Sequence, residues 1–219
     1  MKLTEHRIVD LTHIIQPETG ARPVRIEQVD APHAVPGGQW YIMHRVDMML
    51  NHVGTHIEAP YHVREDGMDV ADIPLEKLCG DAVLLDLTGV APGQTVSEDD
   101  VRQAAERAGG IRPGDMIFCR FDYDFDPANN RPFSAEAITY LVNAGMKLMG
   151  VDLLGIELSD DDPRAPEQYN HHQLLDRDIC LVEQVAHLKE LTRSRFQAVV
   201  MPIPIKGLDS FPVRVVAFE

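Results

Sequence analysis

Cysteine is scarce in this 219-residue chain, and its three copies show no pairing pattern. Cys79, Cys119 and Cys180 are well separated, odd in number and free of any Cys-x-x-Cys arrangement. This spacing argues against a disulfide framework and against a cysteine-based metal site. Because each cysteine sits among apolar neighbours, the sequence predicts three buried free thiols.

Long apolar runs and an excess of basic residues are also missing. No run approaches the ~18 residues of a membrane-spanning helix, and the N-terminal residues carry charge where a signal peptide needs its apolar core. The formal net charge of −15 argues against a nucleic-acid or anionic-membrane partner. These absences favour a cytoplasmic location.

Two common catalytic motifs are absent as well. The chain has neither a Gly-x-Ser-x-Gly elbow nor a glycine-rich phosphate loop, which argues against a serine nucleophile and against nucleotide chemistry. An acidic run at 160–162 could bind a cation, but a solvated loop is the preferred interpretation. Chemistry must therefore come from another part of the chain.

The chain does contain enough apolar sequence for one folded domain, which we expect to span 1–219. Its many short apolar strands and two clear helices predict a mixed central sheet in an α/β or α+β domain, and α/β is the preferred fold class. The helices are expected at 97–109 and 134–145, each beginning with a serine N-cap. The expected strands are 8–11, 40–50, 82–87, 115–121, 147–153, 179–182, 198–205 and 213–218.

A proline- and glycine-rich stretch at 16–38 predicts a long loop over the surface or over a pocket. His33 in this loop is expected to be a solvated histidine. Trp40 and Tyr41 follow the loop, and two interpretations of them stay open. They could contact a substrate, or they could be core aromatics.

Side chains suited to metal binding are concentrated in the stretch 51–62. They occupy even positions, which share one face of an extended chain, and they are His52, His56, Glu58 and His62. In a straight strand the first two histidines would lie ~13 Å apart, near the limit for gripping one ion. We therefore expect a bend at Gly54, with the Thr55 hydroxyl fixing the turn.

Imidazole together with carboxylate suits zinc, manganese or ferrous iron. Catalysis needs further ligands and an open coordination position, and a downstream segment offers candidates. Glu183 follows the apolar strand at 179–182, and a carboxylate at the end of a buried strand is well placed for a ligand site. His171 and His172 are the histidine candidates in the same segment.

The motif His-x-Gly-Thr-His-x-Glu-x-Pro-x-His resembles the signature of the cyclase family of metal-dependent hydrolases. That family includes bacterial kynurenine formamidases and isatin hydrolases. The resemblance extends along most of the chain. Further matches are Asp-Leu-Thr-His at 10–13, Asp-Ile-Pro-Leu-Glu at 72–76, Gly-Val-Asp at 150–152 and Pro-x-Arg at 212–214.

The resemblance implies a role for each candidate ligand. A first metal ion would be held by His52, His56 and Glu58. A second ion, where present, would use the same carboxylate with His171 and Glu183. Zinc is the expected metal and manganese the alternative. The family usually has Asp where this chain has Glu, so the resemblance is compatible with one ion or two ions per chain.

The resemblance also implies that His62 is the catalytic acid/base rather than a ligand, and its spacing favours His171 over His172. The implied fold is a swivelling β/β/α domain that assembles as a dimer or tetramer. The chain departs from the family pattern after Asp152, where Leu-Leu-Gly-Ile-Glu replaces the Ser-x-Asp common in formamidases. The exact substrate is therefore left open.

Together these residues predict a metal-dependent amidohydrolase that cleaves the amide C–N bond of a small formamide or cyclic amide. The metal would lower the pKa of bound water toward ~7, and His62 would transfer protons near neutrality. Two alternatives stay open. One is hydrolysis of a lactone or other ring at the same site, and the other is a non-catalytic module in which His62 closes the coordination shell.

Overall fold

The computed structural model describes residues 5–20, 22–29, 42–48 and 50–219. Across these ranges no helix has the length and apolar character that crossing a bilayer requires. The strands found there are β1 (Ile8–Asp10), β2 (Val24–Val29), β3 (Met43–Met48), β4 (His56–Glu58), β5 (Cys79–Asp86), β6 (Met116–Arg120), β7 (Leu148–Val151), β8 (Cys180–Glu183), β9 (Arg195–Pro202) and β10 (Ser210–Phe218). The α-helices found there are α1 (Leu75–Leu78), α2 (Glu98–Arg107), α3 (Ala135–Asn143) and α4 (Tyr169–Leu175).

Eight of these strands form one sheet in the order β1-β10-β4-β8-β7-β6-β5-β9. Because β10 also pairs with β9, the sheet closes into a ring, and β1 is attached to it through β10. The pairs β5–β6, β6–β7 and β7–β8 are parallel, and the other pairs are antiparallel. The predicted α/β fold with a mixed central sheet is confirmed. β2 and β3 form a separate two-stranded ribbon.

Side chains along the parallel strands alternate between two apolar cores. In β6, Ile117 and Cys119 pack in the outer core with the helices, whereas Met116 and Phe118 face the interior of the ring. Gly150 on the neighbouring strand makes room for this interior packing. A Cβ at that position would lie 2.6 Å from Phe118 Cδ1, so glycine is required there.

The two long helices begin where their serine caps were expected. Ser97 Oγ accepts a hydrogen bond from the Asp100 N–H at 3.2 Å, and the Asp100 carboxylate accepts one from the Ser97 N–H at 2.9 Å. This reciprocal capping box satisfies two N–H groups at the start of α2. Ser134 Oγ accepts from the Ala137 N–H at 3.1 Å and caps α3. Both helices then cover the outer core.

The predicted loop at 16–38 is wrong in part, because β2 lies within it. β2 pairs antiparallel with β3 along its whole length, so hydrogen bonds along one edge hold it as a strand although its side chains do not alternate regularly between apolar and polar. His33, Trp40 and Tyr41 lie outside the described residues. The expectations for these three residues stay predictions.

The prediction of three buried thiols is correct for two of them. Cys119 and Cys180 are buried, whereas Cys79 is exposed. Cys79 is the first residue of β5, and that strand becomes buried only from Ala82 onward. Its Sγ lies 3.3 Å from the carbonyl oxygen of Leu75 in the preceding helix. Apolar neighbours in sequence therefore do not bury a residue at the uncovered end of a strand.

Candidate metal centre

One end of the ring brings the candidate ligands together from separate segments. β4 carries His56 and Glu58, β8 ends at Glu183, and α4 carries His171. In the antiparallel pairing of β4 with β8, His56 lies directly opposite Glu183, so their side chains leave the same face of the sheet. A 3₁₀ turn follows β4 and ends at His62.

The predicted bend between His52 and His56 is present. Gly54 has a φ of +59°, a left-handed conformation that glycine adopts without steric cost. The bend brings the two imidazole centroids to 5.1 Å from each other. Thr55 plays a different part from the one expected. Its hydroxyl donates to the Gln184 carbonyl at 2.6 Å and accepts from a backbone N–H after β1 at 2.9 Å, so it ties the bend to two neighbouring segments.

The candidate ligands form two groups that share one carboxylate. In the first ligand group, Glu58 Oε1 lies 3.3 Å from His52 Nε2 and 3.8 Å from His56 Nε2. In the second ligand group, His171 Nε2 lies 3.6 Å from Glu58 Oε2 and 3.7 Å from Glu183 Oε1. The ligand atoms within each group are all within 4.8 Å of one another. Each oxygen of Glu58 therefore faces a different group.

The three candidate ligand histidines are all held through Nδ1. Their Nδ1 contacts are His52 with Asn51 Oδ1 at 3.0 Å, His56 with Gly54 O at 2.8 Å, and His171 with Glu157 Oε2 at 2.9 Å. Carbonyl and carboxylate oxygens only accept hydrogen bonds, so in each neutral ring Nδ1 carries the hydrogen and Nε2 carries the lone pair. This arrangement orients imidazoles for metal binding.

Some atoms at the centre are buried and lack a hydrogen-bond partner in the described part of the chain. They include His52 Nε2, His56 Nε2 and Glu58 Oε2. Leaving such an atom unpaired costs about 1–3 kcal/mol, and a native protein normally satisfies it. Two imidazole lone pairs and a carboxylate oxygen are the donors that zinc, manganese or ferrous iron accepts. The residues present therefore fit a divalent ion.

Electrostatics at the centre favour positive charge. Burial lowers the pKa of His56, but the carboxylates of Glu183 and Glu58 outweigh it and raise this pKa to about 9. Burial also lowers the pKa of His171, and Glu157 and Glu183 raise it to about 10. Burial raises the pKa of Glu58, yet the surrounding histidines hold it well below its usual range. Without a metal, protons supply the positive charge.

His62 lies beside both ligand groups, on their more exposed side. Its ring centroid is 4.9 Å from that of His52 and 6.1 Å from that of His171. Its Nε2 lies 3.8 Å from Glu58 Oε1. The His62 side chain is 19% exposed, against 3% for Glu58. A histidine in this position can exchange protons with water next to a bound ion.

Three polar residues around the centre were missed by sequence reasoning. Asn51 and Glu157 hold ligand histidines, and Asp209 Oδ2 lies 2.9 Å from His62 Nδ1. Asn51 directly precedes His52, and Glu157 ends the segment that departs from the family pattern, so both carried a usable signal. Asp209 is 147 residues from His62 in sequence, and no local spacing connects them.

The other residues that the sequence offered as candidates for cation binding lie away from the metal centre. The His172 side chain is 43% exposed, and its Nδ1 lies 3.1 Å from Asp176 Oδ2. Asp162, at the end of the acidic run, pairs with Arg164 at 2.8 Å. Among the described residues, no group with metal-binding geometry includes His172 or the acidic run. The fold therefore delivers His171 to the centre, as the family spacing indicated.

A cavity of about 570 Å³ opens beside the first ligand group. His52 and Gly54 form one side of it, Phe125 and Leu154 contribute apolar surface, and the beginning of the proline-rich stretch lines another side. Mostly apolar walls with a few polar groups are usual for small-molecule sites. A pocket next to this stretch agrees with the expectation from sequence.

A mixed α/β ring with imidazole and carboxylate donors gathered at one end points to the class of metal-dependent enzymes. The Cyclase family model, described as "Putative cyclase", matches residues 9–158. The chain belongs to the cyclase family. The resemblance inferred from the histidine motif is confirmed, and with it the expected family fold.

Curated and solved relatives agree with this family. A kynurenine formamidase from Salinibacter ruber is 29% identical over 175 residues, which cover 77% of this chain and 76% of that protein. A structure described as a potential metal-dependent hydrolase with cyclase activity has a TM-score of 0.75 at 26% identity, and covers 97% of this chain and 98% of its own. These relatives confirm the prediction of an amidohydrolase enzyme.

The fold is shared with a more distant enzyme. Isatin hydrolase A from Labrenzia aggregata, solved with benzyl benzoate bound, has a TM-score of 0.83 at 23% identity. The alignment covers 98% of this chain and 94% of that protein. At 23% identity, the similarity shows that the two proteins share a fold.

Proposed function

We propose that this protein hydrolyses the amide C–N bond of a small formamide or cyclic amide at a divalent-metal centre. The observation that carries the proposal is that the buried, unpartnered Nε2 atoms of His52 and His56 lie 3.3 Å and 3.8 Å from Glu58 Oε1, the same oxygen that lies 3.8 Å from His62 Nε2. The names of the relatives, a kynurenine formamidase and an isatin hydrolase, support amide cleavage.

We propose that each ligand group would hold one divalent ion, with Glu58 as the carboxylate common to both groups; one ion per chain is the alternative. Its Oε1 is 3.3 Å from His52 Nε2, and its Oε2 is 3.6 Å from His171 Nε2. With one oxygen directed at each group, this carboxylate would be available to both, even though it is Glu where the family usually has Asp. Zinc is the expected metal and manganese the alternative, because both accept imidazole with carboxylate.

When bound, the ion would polarise the amide carbonyl and make water acidic enough to react near neutral pH. The protein's own part is proton transfer. His62 Nε2 faces Glu58, whereas its Nδ1 is occupied by Asp209. Nε2 would accept the proton of the attacking water and deliver it to the leaving nitrogen.

The cavity supports a substrate with an apolar body. Its volume of about 570 Å³ suits a small organic molecule rather than a polymer. Phe125 and Leu154 would contact the body of the substrate, and the side at His52 would hold the scissile amide near the ions. The amide carbonyl would then lie next to the first ligand group.

The direct test combines metal analysis with hydrolysis assays. Protein purified without added metal is analysed for zinc and manganese per chain, and then assayed with formanilide, with isatin and with a lactone of matched size. We expect bound metal, cleavage of at least one amide, loss of activity on chelation and its return on adding metal. Cleavage of the lactone alone would reassign the enzyme to ring-opening ester hydrolysis. No activity with added zinc or manganese would rule out the proposal.

His62→Ala separates a proton-transfer role from a ligand role. We expect metal content to stay at the wild-type level while kcat falls ~10²–10⁴-fold, the usual contribution of general acid–base catalysis. The measurement is metal per chain alongside steady-state kinetics. Metal loss in proportion to the loss of activity would make His62 a ligand instead.

We also propose that the protein forms a homo-oligomer through the β2–β3 ribbon. Ile26 and Val46 face each other across the ribbon and are 48% and 57% exposed, whereas Glu27 and Arg45 form an ion pair at the next position. A lone two-stranded ribbon is marginally stable in water, and a second copy would cover its apolar face. Light scattering should show dissociation in Val46→Asp and none in the control Glu27→Gln. A monomeric wild type would exclude the proposal.

The expectations about location and other partners remain part of the proposal. A net charge of −15 disfavours association with nucleic acid or with an anionic membrane. A cytoplasmic enzyme acting on a small molecule is therefore proposed, and cell fractionation would test the location.

A further inference from the structure

Asp209 connects the proposed acid/base with the residue that holds a metal ligand. Its Oδ2 accepts a hydrogen bond from His62 Nδ1 at 2.9 Å, and its Oδ1 accepts one from Asn51 Nδ2 at 2.6 Å. Asn51 in turn faces His52 Nδ1 through Oδ1 at 3.0 Å. A continuous hydrogen-bonded chain therefore runs from His52 to His62.

The orientation of the Asn51 amide is fixed by its neighbours. Its Nδ2 donates both to Asp209 Oδ1 and to the Ser210 carbonyl at 2.8 Å. Since both partners only accept hydrogen bonds, the nitrogen of the amide must point toward them. Its oxygen then faces His52, which needs an acceptor for its Nδ1 hydrogen. The amide can satisfy all three contacts only in this orientation.

The segment around Asp209 is itself held in place. The Asp209 carbonyl accepts a hydrogen bond from the Ala59 N–H at 2.8 Å, directly after β4. Two residues earlier, the Gly207 N–H donates to Asp69 Oδ2 at 2.7 Å, and Lys206 pairs with both Asp69 and Asp72. The carboxylate of Asp209 is thus presented by an anchored backbone.

We propose that Asp209 is a positioning residue that holds His62 in the tautomer with hydrogen on Nδ1 and a free lone pair on Nε2. The proposal rests on the proposed role of His62 in proton transfer. A carboxylate only accepts hydrogen bonds, so a neutral His62 must place its hydrogen on Nδ1 to pair with it. Nε2 is then the nitrogen able to take a proton from water.

An ion shared by His52, His62 and Asp209 is the competing interpretation, because their ligand atoms lie within 4.8 Å of one another. The distances favour the hydrogen bond. Two ligands at ~2.1 Å from one tetrahedral ion would be ~3.4 Å apart, whereas His62 Nδ1 and Asp209 Oδ2 are 2.9 Å apart. His52 Nε2 is also directed at Glu58, at 3.3 Å, and one nitrogen cannot bind two ions.

Asp209→Asn makes a specific prediction about this tautomer. The Asn51 amide presents a hydrogen to position 209, so the new side chain must turn its oxygen toward Asn51 and its NH₂ toward His62. His62 Nδ1 then becomes an acceptor, and its hydrogen moves to Nε2. This wrong tautomer cannot accept the proton of water. We expect kcat to fall ~10²–10⁴-fold, with KM within about threefold of wild type and metal content unchanged.

The tautomer is read directly by nitrogen-15 NMR of the imidazole rings in the metal-free protein. Spectra are recorded well above the ordinary imidazole pKa of ~6.5, and the His62 signals are identified by their loss in His62→Gln. Hydrogen is expected on Nδ1 in the wild type and on Nε2 in Asp209→Asn. Because this readout needs no substrate, it tests the tautomer even if the proposed hydrolysis fails.

Asp72→Asn is the matched control, since it weakens the Lys206 contact in the same segment without touching the centre. We expect it to keep the wild-type tautomer and to retain kcat within about twofold. An Nε2 hydrogen on His62 in the wild type would overturn the proposal. A loss of kcat in Asp72→Asn equal to that in Asp209→Asn would also overturn it, because the effect would then come from displacement of the segment and not from the tautomer. Loss of a metal ion in Asp209→Asn would favour the shared ion instead.

Discussion

The two ligand groups share Glu58, yet the chain assembles them in different ways. The first group comes from one short stretch in which the bend at Gly54 folds His52 back toward β4. The second group draws His171 from α4 and Glu183 from the end of β8. The His52 side chain is 17% exposed, against 10% and 7% for these two. His56 of the first group is nevertheless 0% exposed, so the two groups differ in how they are assembled rather than in burial: a local bend completes the first, whereas the second requires the assembled fold.

Glu58→Gln has the largest expected effect, because it changes the carboxylate that the two ligand groups share. It should therefore disable both groups. The amide keeps the shape of the side chain but replaces one acceptor oxygen by a donor and removes the charge. We expect loss of both ions and a fall in kcat/KM of ~10³-fold or more. Elemental analysis and kinetics measure this, with Glu58→Asp as the control that keeps a carboxylate. Retention of two ions by Glu58→Gln would contradict a bridging role.

His171→Ala should disable the second ligand group alone. We expect one ion per chain to remain in the first group and hydrolysis to fall ~10²-fold, because one of two cooperating ions is lost. His172→Ala is a matched control on the same helix, and its exposed side chain lies away from the centre. Metal per chain should fall in the first variant and stay constant in the second. Equal effects of the two variants would mean that the wrong histidine was assigned.

Glu157→Gln should weaken the second ligand group without removing a ligand. The Glu157 carboxylate accepts hydrogen bonds from His171 Nδ1 and from the Asn170 N–H, and an amide can offer only one oxygen for both. Loss of such a supporting contact typically costs ~10–100-fold in metal affinity. Titration against a chelator should show weaker binding of one ion and unchanged binding of the other. Equal weakening of both ions would show that the groups are not independent.

Measured over a single pH unit, the pH dependence of metal binding is the smallest expected effect. Ligand histidines must be neutral. In the metal-free protein, burial lowers the pKa of both His56 and His171, but Glu183 and Glu58 raise that of His56 to about 9, and Glu157 and Glu183 raise that of His171 to about 10. Metal affinity should therefore rise with pH by up to ~10-fold per unit for each histidine, and more so for the second ligand group at the alkaline end.

These raised pKa values also determine how the stability of the metal-free protein changes with pH. A histidine whose pKa is raised by folding stabilises the metal-free protein below the unfolded value of ~6.5, and this contribution is lost as pH rises through the folded value. The rise in melting temperature caused by added zinc should accordingly increase from about pH 6.5 to pH 9. Melting curves with and without zinc measure it. A zinc-induced rise in melting temperature that becomes smaller over this pH range would show that protons do not compete with the metal.

The parts of the molecule that were predictable from sequence are those specified by neighbouring residues. The strands, the caps at Ser97 and Ser134 and the bend at Gly54 follow from short patterns of apolar, capping and flexible residues. The strand β2 was missed because its hydrogen-bond partner compensates for a weak pattern. The exposure of Cys79 was missed because the position of the covering helices is set by the whole sheet.

The same distinction between local patterns and long-range contacts applies to the candidate metal centre. The family pattern pointed to His171 and Glu183. Glu183 lies opposite His56 through the pairing of β8 with β4, whereas His171 is carried by the helix α4. Asp209 is a single acidic residue in a chain with many, and only the pairing of β10 with β4 brings it near His62. Tertiary contacts of this kind leave no periodic signal in the sequence.

Closure of the ring by β10 has a consequence for the timing of synthesis. β4 pairs with β10 on one side, and nearly all of the chain between them must be made before that partner exists. At translation rates of ~5–20 residues per second, the wait is on the order of ten seconds. During this time the nascent chain carries the histidine motif without Asp209. If His62 and Asp209 have the proposed roles, the site becomes competent for proton transfer only once β10 has paired with β4.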